Sequence, residues 1–212
     1  MSRRADLDLS RRRLYLCTPI RDDLPAFAAA AMKGGVDIIQ VREKTAEART
    51  IIRHAKEIRK IANDFGVPFF INDRPDIALE VGADGVHVGQ GDVDVELVRR
   101  ILPEALVGLS THSPAELQES LSKKVDYISA GPIVPTPTKP GRSGTGLGYA
   151  EQAVALSPRP VFVTGAVQPS TIPELVSHGV SHFVVVRYLT EAADPYHAAK
   201  KLRNAIDEAL GS

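Results

Sequence analysis

A single cysteine, Cys17, occurs in the 212 residues. It excludes an internal disulfide and suits a reducing compartment. The 26 basic and 26 acidic side chains cancel, so no charge excess points to nucleic acid or an anionic membrane as a partner. No apolar run approaches the roughly 20 residues of a membrane span, and no hydrophobic signal segment follows Met1. Cysteine and histidine do not cluster at zinc spacing, and neither a Gly-x-Ser-x-Gly elbow nor a P-loop is present. Residues 1–13 mix both signs of charge and read as a loose leader, while Asp6 and Asp8 argue against a transit peptide. These absences predict a cytoplasmic protein without nucleic-acid or membrane partners and leave a homo-oligomer open.

Apolar residues make up 43% and charged residues 25%, the balance of a globular chain with a real core. Short β-branched runs occur at 14–18, 36–41, 67–71, 85–88, 106–110, 125–129, 160–164 and 182–186. They alternate with helical patterns at 24–33, 45–64, 75–81, 93–101, after Ser113-Pro114, at 150–155, after Ser170 and at 195–210. Continuous apolar strands alternating with helices imply a parallel sheet covered on both faces. An open doubly wound sheet would carry a glycine-rich turn after its first strand, and Thr18-Pro-Ile-Arg-Asp22 is not one. Eight even repeats therefore predict a single (β/α)8 TIM barrel over residues 14–212.

In such barrels chemistry happens at the carboxyl ends of the strands. Polar groups follow nearly every strand: Gln40, Arg42, Glu43 and Lys44; Asn72, Asp73 and Arg74; Gln90 and Asp92; Ser110, Thr111 and His112. Gly165-Ala166 follows the seventh strand and Arg187-Tyr188 the eighth. After the sixth comes a long loop, Ala130-Gly-Pro-Ile-Val-Pro-Thr-Pro-Thr-Lys139-Pro-Gly-Arg142, whose prolines forbid helix and central strand. Its Thr136, Thr138, Lys139 and Arg142 suit an anionic oxygen cluster such as phosphate.

Arg42, Lys44, Lys139 and Arg142 exceed what one monophosphate needs, and Asp73 and Asp92 stand among them as carboxylates. A diphosphate with Mg²⁺ accounts for both sets, since that ion binds one or two carboxylates plus phosphate oxygens. The plain alternative is a rim of salt bridges such as Arg42 with Asp73, worth little to stability. Gly165-Ala166 with Arg187 lies where barrels build a second phosphate cup, which implies two phosphorylated substrates. His87 reads as a packed histidine within a strand and His112 as a rim acid or base. His54, His178, His182 and His197 read as helix or surface positions.

The set Gln40-Val-Arg-Glu-Lys44, Ile71-Asn-Asp-Arg74, Gly85-Val-His-Val-Gly-Gln-Gly-Asp92, Gly108-Leu-Ser-Thr-His112 and Gly131-Pro-Ile-Val-Pro-Thr-Pro-Thr-Lys139 resembles the thiamine-phosphate synthase family, in order, from about Leu14 to Leu210. The resemblance implies a (β/α)8 barrel that condenses hydroxymethylpyrimidine diphosphate with thiazole phosphate, giving thiamine phosphate and pyrophosphate. Carried over, Arg42, Lys44, Ser110 and Lys139 are the catalytic groups. Gln40 holds the pyrimidine, Val41 and Glu43 of the same motif count among the substrate-binding residues, and Asn72 joins the grip on the diphosphate. Asp73 and Asp92 bind Mg²⁺. Thr136, Pro137 and Thr138 meet the thiazole phosphate, together with Gly165, Ala166, Val186 and Arg187. The implied chemistry breaks the C–O bond first and leaves a pyrimidine-stabilised carbocation for the thiazole nitrogen. A related thiazole tautomerase, or a non-catalytic barrel that binds phosphometabolites, would need neither Asp73 nor Asp92.

Two positions depart from the family pattern. Ala166 stands where a second glycine is usual and can obstruct the thiazole-phosphate cup or demand a φ unsuited to alanine. Arg187 replaces a small hydroxyl residue and brings a cation that can offset the lost approach.

Overall fold

The computed structural model describes residues 7–135 and 143–211. Strands β1 (Leu14–Thr18), β2 (Ile38–Val41), β3 (Phe69–Asn72) and β4 (Gly85–Val88) are followed in space by β5 (Leu106–Thr111), β6 (Tyr127–Ala130), β7 (Val161–Thr164) and β8 (His182–Val185). All neighbours are parallel, and β8 pairs with β1 to close the barrel. The predicted (β/α)8 barrel is the fold.

The helices are α1 (Leu24–Lys33), α2 (Ala48–Phe65), α3 (Pro75–Val81), α4 (Val95–Ile101) and α5 (Pro114–Ser120). After them come α6 (Leu147–Leu156), α7 (Ile172–Ser177), α8 (Arg187–Thr190) and α9 (Pro195–Leu210). Both α3 and α9 keep their predicted bounds, and α5 opens on the Ser113 side chain, which accepts from Glu116 N–H. The pattern predicted α2 from residue 45, yet it starts at Ala48. The Glu43 carboxylate takes the N–H groups of Thr45 and Ala46 and holds them in a turn. Helix α8, a single turn, is too short to show as a periodicity.

Alternation along each strand makes two cores. Leu14, Leu16, Ile39, Val41, Phe69 and Ile71 face the helices. Tyr15, Ile38, Phe70, Leu106, Tyr127 and Phe162 fill the barrel itself. Two inward positions are glycine for a steric reason. A Cβ on Gly108 would lie 2.1 Å from the Tyr127 ring, and one on Gly85 would lie 2.3 Å from that of Phe70.

The amino-terminal mouth of the barrel is closed by the segment expected to be a loose leader. Leu9 is 5% exposed, sits in a single 3₁₀ turn (Leu9–Arg11) and packs into the interior cluster. The Asp37 carboxylate accepts from the N–H groups of Arg13 and Leu14, each at 2.8 Å, and pairs with Arg203 at 2.9 Å. Residues 9–13 are thus part of the fold, which corrects the expectation for them; residues 1–6 lie outside the described residues. His182, expected at the surface, is buried there, with Nδ1 2.6 Å from the Arg12 carbonyl. Two further aspartates repeat the device. Asp84 accepts from Phe69 N–H and pairs with Arg59, and Asp126 accepts from Val107 N–H and pairs with Arg99. Each joins the start of one strand to the start of the next and takes an arginine from the outer helices.

Candidate active site

The opposite mouth opens into a cavity of roughly 370 Å³. Its floor is the inward row of the strands. Because Ile38, Gln40 and Arg42 share one parity, Gln40 and Arg42 face the cavity, while Val41 points into the helix layer. Val41 can therefore reach a ligand only through its backbone. Asn72, His87 and Ser110 line the same cavity.

Hydrogen bonds tie this floor into one chain. Gln40 Nε2 donates to Asn72 Oδ1 at 2.7 Å, and the Tyr15 hydroxyl donates to Gln40 Oε1 at 3.0 Å. The hydroxyls of Tyr15 and Tyr127 are 2.9 Å apart, and Tyr127 is 2.9 Å from His87 Nδ1. His87 Nε2 lies 2.8 Å from Ser110 Oγ. Burial raises the pKa of both tyrosines, so they remain protonated donors. At one end of the chain, Asn72 Nδ2 is buried without a hydrogen-bond partner among the described residues. A buried amide donor without a partner costs about 1–3 kcal/mol, which an anionic ligand oxygen would offset.

Lys44, Asp73 and Asp92 stand beyond this wall, on the loops that leave β2, β3 and β4. Lys44 Nζ is 2.8 Å from Asp73 and 3.8 Å from Asp92. The Arg42–Asp73 pair of the plain salt-bridge alternative does not form: Arg42 is turned inward, and Lys44 takes its place beside Asp73. Burial lifts the pKa of Asp73, and the adjacent Asp92 carboxylate adds to the lift. Burial also pushes Asp92 up, but its hydrogen bonds with Asp73 and Gly89 N–H, and the Lys44 charge, bring it below the usual range. Two carboxylates gathered on one ammonium offer the hard oxygen pair that suits Mg²⁺. Among the described residues no group of three such ligands exists, so an ion here would need oxygens from substrate or water. The Glu43 carboxylate is spent on Thr45 and Ala46, and that of Glu116 on His112. His112 is therefore a loop-to-helix tether and does not line the cavity.

Across the cavity lie Thr164, Gly165, Ala166, Val186 and Arg187, at the ends of β7 and β8. Gly165 has φ +104°, and a Cβ there would meet Ile133 N at 2.7 Å, so only glycine fits. Ala166 has φ +52°, the left-handed conformation that the sequence reading anticipated, and its carbonyl accepts from Thr171 Oγ at 2.7 Å. The β6 loop departs and returns against this wall. Ile133 N–H donates to Thr164 O, while Thr145 and Gly146 donate back to Pro132 and Ile133. Thr136, Pro137, Thr138 and Lys139 lie outside the described residues.

Sequence reasoning missed Tyr15, Tyr127, Gln168 and Glu191, all of which line the cavity. A signal for the two tyrosines existed. Tyr15 shares strand parity with Cys17, and inward Gly108 marks a ring facing it.

Comparison with known proteins agrees with this geometry. The model of the thiamine monophosphate synthase family matches residues 14–189. Thiamine-phosphate synthase of Mycobacterium bovis (strain BCG / Pasteur 1173P2) is 41% identical over 216 residues, covering 95% of this chain and 97% of that protein. The enzyme of the same name from Thermus thermophilus is 41% identical over 177 residues, covering 83% of this chain and 85% of that one. The solved structure of thiamine phosphate pyrophosphorylase from Pyrococcus furiosus superposes with a TM-score of 0.86 at 30% identity, covering 98% of this chain and 99% of its own. Fold, polar floor and sequence thus converge, and the chain belongs to the thiamine monophosphate synthase family.

Proposed function

We propose that this chain joins hydroxymethylpyrimidine diphosphate to thiazole phosphate in the cytoplasm, forming thiamine phosphate and pyrophosphate. The observation that carries this reading is one cavity with two kinds of wall. One wall presents Gln40, Arg42 and the Asn72 Nδ2 donor, which has no partner among the described residues, with Lys44, Asp73 and Asp92 just beyond; the other presents Gly165, Ala166 and Arg187. A tautomerase acting on a thiazole phosphate alone would have no use for the first wall.

In this reading the Gln40 amide pairs with the pyrimidine edge, offering one N–H and one carbonyl lone pair side by side. Arg42, Lys44, Asn72 and Ser110 hold the diphosphate, with Lys139 from the β6 loop. Their role is to stabilise charge that grows on the leaving oxygen as the C–O bond breaks. Asp73 and Asp92 would hold Mg²⁺, which when bound supplies further neutralisation of the departing pyrophosphate. The thiazole nitrogen then attacks the pyrimidine carbocation, a step that needs no strong base. The apolar layer of Ile38, Phe70, Leu106 and Phe162 under the floor closes the barrel from below to water, which would quench the cation. Gly165, Ala166, Thr136, Pro137, Thr138, Val186 and Arg187 position the thiazole phosphate.

A bacterial strain that lacks its own synthase, grown without thiamine, tests the reading. The wild-type gene is expected to restore growth and an Asp92→Asn gene to fail. Failure of a wild-type gene whose product is soluble and folded would overturn it.

A further inference from the structure

The floor of the cavity is a polar chain in which each hydrogen bond dictates the next. An amide oxygen only accepts, so Gln40 Oε1 takes the Tyr15 hydroxyl proton and Gln40 Nε2 gives a proton to Asn72 Oδ1. Tyr15, having given its proton away, must accept from Tyr127 across 2.9 Å. Tyr127 in turn must accept from His87 Nδ1–H, also at 2.9 Å. That leaves Nε2 as the acceptor for the Ser110 hydroxyl at 2.8 Å. The chain thus has a direction. It begins at Ser110, ends at Asn72, and leaves the Asn72 amide donor pointing where no partner stands among the described residues.

Tyr127 sits at the middle of this chain and is built in. Its ring occupies the space of an absent Cβ at Gly108, stacks on His87 at 5.5 Å and 26°, and packs edge-on against Phe70 and Phe162. Packing fixes the ring, and its hydroxyl, bonded to both Tyr15 and His87, is the junction between two halves of the floor.

The geometry points to Tyr127 as a positioning residue of the reaction: through Tyr15 it fixes which way the Gln40 amide faces, and through His87 it fixes the imidazole tautomer and the Ser110 hydroxyl. This rests on the synthase reading, in which Gln40 meets the pyrimidine and Asn72 and Ser110 meet the diphosphate. The consequence is specificity at a distance. A Gln40 amide turned by half a revolution would present its donor and acceptor in the wrong order to an aminopyrimidine edge. It would also meet Asn72 oxygen to oxygen, unless that amide turned as well. Tyr127 touches neither end, yet both orientations depend on its proton going to Tyr15.

Nitrogen NMR of the histidine rings tests this on the whole protein with no substrate present, so the result does not depend on the reaction assigned to it. The His87 signal, identified by its loss in His87→Gln, is expected to show a protonated Nδ1 in the wild type. Tyr15→Phe releases the Tyr127 proton, which can then turn to His87, and the imidazole proton is expected to move to Nε2. An Nε2-protonated His87 in the wild type, or the same tautomer in the wild type and Tyr15→Phe, would overturn the proposal. Should Tyr15→Phe not fold, Tyr127→Phe serves instead, because it removes the hydroxyl that His87 Nδ1 faces and the ring is expected to sample both tautomers. Kinetics supply the second readout. Tyr127→Phe is expected to raise the KM for the pyrimidine diphosphate about tenfold, the worth of one well-placed hydrogen bond, and to leave the thiazole-phosphate KM unmoved. Equal changes in both constants would mean general loosening of the barrel and would also overturn it.

Discussion

The ammonium of Lys44 lies 2.8 Å from the carboxylate of Asp73. Nearly half of the Lys44 side chain is exposed, so the pair adds little to stability. Its importance is its place, since the charge stands at the carboxylate pair where a divalent ion would bind. Lys44→Ala is expected to tighten Mg²⁺ binding to the substrate-free protein by about fivefold, from roughly 1 kcal/mol of relieved competition. The same change should weaken diphosphate binding. Calorimetric titration with Mg²⁺ checks the first effect, and weaker ion binding in the variant would contradict it.

Ala166 is held at φ +52° by the turn whose carbonyl Thr171 grips. A residue with a Cβ pays roughly 1 kcal/mol there, partly offset in glycine by greater chain entropy. Ala166→Gly should therefore change stability by less than about 1 kcal/mol in urea unfolding. It should lower the KM for thiazole phosphate and leave that for the pyrimidine diphosphate unchanged. An unmoved thiazole-phosphate KM would remove Ala166 from the account of that wall.

Asp84 and Arg59 are both buried at the closed mouth, with side-chain exposures of 5% and 9%. Asp84→Ala leaves a buried guanidinium without its carboxylate and also removes the acceptor for Phe69 N–H. The expected loss is about 3–5 kcal/mol in equilibrium unfolding. A loss below about 1 kcal/mol would mean the three aspartate staples are ornamental.

His182 gives the stability a defined pH dependence. Burial lowers its pKa below the ordinary 6.5, the Arg12 carbonyl partly restores it, and the Arg13 guanidinium lowers it again. The unfolded chain therefore binds this proton more readily than the folded one. The contribution is fully present above the unfolded pKa and is lost as pH falls from there toward the folded value. Wild type should lose stability through that window with a slope of at most about 1.4 kcal/mol per pH unit from this group, and His182→Gln should lose less. Parallel curves for the two proteins would contradict the assignment.

Much of this architecture is legible in the sequence because the barrel repeats a simple rule. Each strand is a short apolar run, and polar residues gather at its carboxyl end, as Gln40, Asn72 and Ser110 do. What is illegible depends on which atoms meet across strands. That Lys44 rather than Arg42 meets Asp73 turns on where β2 ends: Arg42, next to the strand, keeps its inward parity, while Lys44 already stands on the loop beyond. Tyr127 reads as an ordinary apolar strand residue until the vacancy at Gly108 shows where its ring goes. The segment ending at Arg13 looks like a charged leader because, among its described residues, only Leu9 is buried, and its anchor, Asp37, is supplied by a different loop. His182 is buried for the same reason, against a carbonyl of that segment.

The central claim is that one cavity joins two phosphorylated substrates. Pyrophosphate release by the purified protein tests it most directly, with the pyrimidine diphosphate, thiazole phosphate and Mg²⁺ each left out in turn. The account predicts release that needs all three and yields thiamine phosphate in equal amount. Release of pyrophosphate at the same rate without thiazole phosphate would show that the second wall plays no part, and would contradict it.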